Sequence, residues 1–102
     1  MAYILIKVRM RNKIGGKIIN GKAIVKDGLS STTYDDSRIT QRSFKAMKKQ
    51  GKDCSMEEGV LIEYWPGLNK EEIARKVEVD LKNLQIKFRK IMEIEYARKV
   101  VK

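Results

Sequence analysis

From Tyr3 to Lys13 the chain alternates: Ile4, Ile6, Val8 and Met10 fall on one side, and Lys7, Arg9, Arg11 and Lys13 fall largely on the other. Successive side chains of an extended strand point to opposite faces, so this segment reads as a strand with one apolar and one basic face. Cations recurring about every 6.5 Å along such a face lie close to a phosphate spacing. The plain structural alternative is a solvated edge strand that its charge protects from aggregation.

The basic face belongs to a basic chain. Lys and Arg number 23 against 13 Asp and Glu, there is no histidine, and the formal net charge is +10. Residues 1–26 hold seven bases and no acid, which concentrates the charge and points to an anionic partner, nucleic acid first. The 102 residues allow one compact domain, residues 1–102, with a modest core that dimerisation would assist. A single cysteine, Cys54, cannot form an internal disulfide, and without histidine there is neither a Cys–His pair nor a Ser-His-Asp triad. Chemistry would have to run on carboxylates, Lys, Tyr or a carboxylate-held metal. The apolar start at Tyr3–Ile6 is too short for a signal peptide, and no run approaches 18 apolar residues, so a cytoplasmic chain without membrane contact is expected, in the host interior if viral.

Two segments allow two readings each. Over 17–29, Ile18, Gly21, Val25 and Leu29 recur at helical spacing, yet Asn20-Gly21 between apolar runs is a hairpin signal. Over 38–50, Ile39, Ser43, Ala46 and Met47 fit a helix capped by Ser37 and closed by Gly51, while Thr40, Arg42, Phe44 and Ala46 fit a strand; local signals lean helical. Residues 28–37 and 51–59 read as loops, and Val60–Trp65 as a strand ended by Pro66-Gly67. Asn69 with Glu72 makes a capping-box start for a long amphipathic helix through Ile73, Val77, Leu81, Leu84, Phe88 and Ile91, reaching roughly Lys90 or beyond. Its free face either packs on its own domain or pairs with a second copy, a homodimer through 70–101. Tyr64-Trp65 beside Pro66 offers aromatics either to a protein partner or to the core under that helix.

Asp27, Asp35 and Asp36 are the acids of the first half. Converging carboxylates could hold Mg²⁺ beside a cationic groove, as nucleases without histidine require. The structural alternative is that Asp35 or Asp36 caps a helix starting near Ser37 and Asp27 belongs to a turn.

Gly16-Lys17-Ile18-Ile19-Asn20, then Asp27-Gly28-Leu29, then Tyr34-Asp35-Asp36-Ser37-Arg38-Ile39 resembles the RusA family of Holliday junction resolvases, common in phages and prophages, over about residues 2–65. That family carries Asp-any-Asp-Asn at a helix start, Asp-Ala/Gly-Leu seven residues after the Asn, and an Asp-Asp pair in the next loop; Asn20 and Asp27 keep that spacing. The resemblance implies a helix over Lys17–Leu29, a Mg²⁺-dependent endodeoxyribonuclease ancestry, and Asp27 and Asp36 as vestiges of the catalytic set. Where the family has metal-binding aspartates this chain has Lys17 and Ile19, and Ala23 stands at the catalytic lysine with Lys22 one position off. A lysine where the ion should sit opposes metal binding, so no cleavage is expected.

These readings converge on an α+β domain: a small mixed sheet of three or more strands with a long C-terminal amphipathic helix, residues 1–67 as a RusA-like core and 68–102 as a helical extension. The expected function is binding of structured, junction-like DNA through Lys7, Arg9, Arg11, Lys13, Lys17 and Lys22, with Asp27, Asp35 and Asp36 as a vestigial metal patch. The alternative is a small viral module that takes a peptide or partner protein in a groove.

Overall fold

The computed structural model describes residues 2–102. Strands β1 (Tyr3–Asn12), β2 (Ile18–Lys26) and β3 (Leu29–Tyr34) lead into helix α1 (Ser37–Lys49). Strands β4 (Cys54–Glu57) and β5 (Val60–Tyr64) follow, then helix α2 (Lys70–Phe88) and strand β6 (Met92–Val101). The strands form one sheet in the order β4-β5-β3-β2-β1-β6, and every neighbouring pair is antiparallel. The class is α+β, as the sequence implied, but the sheet is wholly antiparallel and not the mixed one expected.

The alternation of β1 decides which side of the sheet is covered. Ile4, Ile6, Val8 and Met10 are buried together with Ala23 and Val25 of β2 and Ile94 of β6. Ile73, Ala74 and Leu81 of α2 close over them, flanked by Val77 and Leu84. The stripe predicted after Asn69 is therefore spent within its own domain, although Val79 and Ile86 stay exposed on α2. Helix α1 lies alongside on the same layer, over β3, β4 and β5, where Ile39 joins the core and Thr40 is buried with its hydroxyl accepting from the Tyr34 N–H at 3.2 Å. The reciprocal Asn69–Glu72 capping box is present at the start of α2.

Residues 17–29 form neither the helix that the resemblance required nor a hairpin at Asn20-Gly21. They are mostly β2, with Gly21 in mid-strand opposite Val8 and Tyr34. A type I′ Asn-Gly turn needs positive φ at its glycine, and Gly21 lacks it; the reversal occurs instead at Asp27-Gly28, between the paired Lys26 and Leu29, where Gly28 alone has positive φ, +83°. Gly21 serves packing instead. A Cβ there would sit 2.5 Å from the Tyr34 ring, which lies over the glycine and fills its place.

Helix α1 confirms the helical reading of 38–50, with Asp36 in place of Ser37 as its N-cap and Gly51 just beyond its end. The expected loops 28–37 and 51–59 contain β3 and β4, and residues 68–102 are not a helical extension. Helix α2 stops at Phe88, and Met92–Val101 returns as a strand along the whole of β1. In Met92-Glu93-Ile94-Glu95-Tyr96 the apolar residues alternate with acids, a strand period that overrode the helical one once the edge of β1 offered backbone partners.

Candidate nucleic-acid interface

Among the described residues, both helices cover one side of the sheet and no element covers the other. The bare face is built from the opposite phase of the same strands. Lys7, Arg9 and Arg11 project from β1, Lys22 and Lys26 from β2, and Lys99 from β6. Register makes neighbours of residues distant in sequence: Lys7 lies between Lys22 and Ala97, and Arg9 between Asn20 and Glu95. A hollow of about 720 Å³ runs between those two rows, with Gly21 and Val8 in its floor and Thr33 and Asp35 at its end. With strands about 4.8 Å apart, Lys7 and Lys22 hold like charges directly opposite one another, an arrangement that weakens a sheet.

The six predicted binding cations do not share one environment. Lys7, Arg9, Arg11 and Lys22 stand together on the open face. Arg11 is bridged to Glu93 of β6, which removes it as a free charge. Lys13, just past β1, donates to the Arg89 carbonyl oxygen at the end of α2. Lys17 lies in the β1–β2 connection and pairs with Asp36 at 3.6 Å.

The three aspartates do not converge. Asp27 precedes β3 and Asp35 and Asp36 follow it, so the six-residue strand separates them by about 20 Å at about 3.3 Å per residue. Each already serves the fold. The Asp27 carboxylate accepts from the Lys70 N–H at 2.8 Å, satisfying a free donor in the first turn of α2. Asp35 accepts from the Asn20 amide at 3.4 Å. Asp36 caps α1 through the Arg38 N–H at 3.0 Å and takes the Arg38 guanidinium at 3.0 and 3.2 Å, and those contacts hold its carboxyl down to about 2. Among the described residues no group of three acidic, cysteine or histidine side chains is arranged to hold a metal. The expected patch is thus divided between two ends of the sheet, and an ion shared by Asp27 and Asp36 is geometrically impossible.

Trp65 takes the structural alternative. Its indole N–H donates to the Ser30 hydroxyl at 3.2 Å, and the Lys52 ammonium lies 5.7 Å from its ring centre. Lys52 also reaches Glu63 at 3.6 Å and Asp80 at 3.7 Å, tying β5 to α2. Tyr64 is the more open aromatic, 37% exposed.

Sequence reasoning missed Lys26 and Lys99 on the open face, and it missed the two β6 carboxylates there. It also passed over a second basic surface: from Ser37 to Gln50 there is no acid, and Arg42, Lys45 and Lys49 follow Arg38 at helical spacing along α1. The signal for both lay in the residue rows, as alternation in β6 and as a charge run in α1. Comparison with protein-family models, with curated proteins and with solved structures returns no match.

Proposed function

We propose that the chain binds nucleic acid on the open face of the sheet, using Lys7, Arg9 and Lys22 as phosphate contacts, and does not cut it. The observation that carries this reading is the Lys7–Lys22 cross-strand pair beside Arg9. Among the described residues none of these side chains makes an ion pair, and a polyanion laid across β1 and β2 would relieve the Lys7–Lys22 repulsion. The α1 stripe is the weaker candidate. Arg38 is occupied by Asp36, and Lys48 and Lys49 already have a role at the negative end of the helix dipole.

Contact through phosphates positions a duplex without reading its sequence, so the expected binding is sequence-tolerant and strongly salt-dependent. A preference for branched DNA is the finer part of the proposal, and it rests on the sequence resemblance at Asn20, Asp27 and Asp36 alone, since in the fold Asp27 and Asp36 serve the starts of two different helices. Titration of a labelled four-way junction, a linear duplex and a single strand at several salt concentrations tests both parts. Binding that weakens steeply with salt supports the interface, and tighter binding of the junction supports the preference. Absence of binding to all three at low salt overturns the proposal. Mg²⁺-dependent nicking would overturn its second clause.

A further inference from the structure

The two edges of the sheet differ. Strand β4 is four residues long, a length that gives another chain little to pair with. Strand β6 is ten residues long, pairs with β1 along one side, and leaves its other side free among the described residues. Edges of this length are normally blocked by charged side chains, and like charges repel a second copy of the same edge. In β6 the sign changes midway: Glu93 and Glu95 precede Ala97, and Arg98 and Lys99 follow it.

We propose that β6 pairs antiparallel with β6 of a second copy of this chain, about a twofold axis through Ala97. Antiparallel partners must lie on the same face of the sheet, which restricts the symmetric registers to those centred on a residue. Centring on Ala97 places Glu95 of each copy opposite Lys99 of the other on the open face. On the helix-bearing face it places Ile94 opposite Val100 and Tyr96 opposite Arg98. Val100, 55% exposed in the single chain, gains apolar cover from this pairing. Centring on Arg98 would set the two guanidinium groups against each other, and a parallel pairing in register would oppose like charges along the strand. Two copies joined in this way share one continuous twelve-stranded sheet. Their helices lie on one side and the two basic faces on the other. The inference stands whether or not those faces bind nucleic acid.

Charge exchange and cross-linking of the full chain, free of nucleic acid, test it. Sedimentation of the wild type is expected to show a species of roughly twice 11.8 kDa. Glu95→Lys and Lys99→Glu each turn two attractive pairs into repulsive ones and are expected to weaken self-association by about tenfold. The double variant E95K/K99E restores the pairing and with it the dimer, which loss of folding could not do. Opposed Cα atoms in an antiparallel pair lie about 4.5–5.5 Å apart, within disulfide reach, so Ala97→Cys should form a cross-linked dimer under mild oxidation while the buried Cys54 of the wild type does not. A wild type that stays monomeric at high concentration, a double variant no better than the singles, or an Ala97→Cys chain that does not cross-link overturns the proposal.

Discussion

Gly21 shows how one residue misleads a local reading and then constrains the fold. Beside Asn20 it suggests a turn, yet its function is to admit the Tyr34 ring over β2, and the enclosed phenol has its pKa pushed up by burial. Gly21→Ala forces ring and strand apart and should destabilise by about 1–3 kcal/mol, measurable by urea denaturation. Two carboxyls give opposite pH slopes. Burial raises Glu63, with Lys52 pulling the other way and Asp80 adding to the rise. The native state therefore holds that proton more tightly than the unfolded chain, and the associated stability is full below the ordinary 4.5 and is lost as pH rises through the elevated value. Asp36 is depressed by Arg38, so its contribution is full above the ordinary 3.8 and is lost as pH falls toward about 2. Glu63→Gln should flatten the decline above pH 4.5 and leave the acid limb unchanged in a series of melting temperatures.

Elements were legible where one signal dominated. The alternation of β1, the strand at Val60–Tyr64 and the capped start of α2 were all plain because burial, propensity and capping agree there. Asn69→Ala removes the side-chain arm of the capping box, leaving the backbone N–H of residue 69 to donate to the Glu72 carboxylate, and should cost about 1 kcal/mol, seen as a lower urea midpoint with unchanged slope. Strand β2 and strand β6 were not legible, for different reasons. In β2 helical and strand periods overlap, and the choice was made by its neighbours: β1 and β3 supply backbone partners on both sides. In β6 the alternation was present but followed a long helix without a glycine or proline to stop it. The end of α2 is set by tertiary contacts, the Lys13 N–H donating to the Ile91 carbonyl at 2.9 Å.

At the scale of the whole molecule, a two-layer domain with helices on one side of a sheet leaves the other side uncovered among the described residues, and the basic phase of β1 made that side visible in the sequence. Its composition was not visible. Glu93 and Glu95 arrive from the far end of the chain and neutralise part of the face, while Lys26 and Lys99 extend it. The acidic cluster dissolved in three dimensions because nearness in sequence across a strand is distance in space. Membrane association by a spanning helix is not available among the described residues, since no helix is long and apolar enough to cross. The claim that the open face binds phosphates is tested most directly by the salt dependence of duplex affinity in two double variants, Lys7→Gln/Lys22→Gln on the sheet and Arg42→Gln/Lys45→Gln on α1. The sheet variant should lose about 1.8 from the slope of log affinity against log salt, about 0.9 for each phosphate contact, and the α1 variant should match the wild type. The reverse pattern would place the interface on α1 and contradict the account.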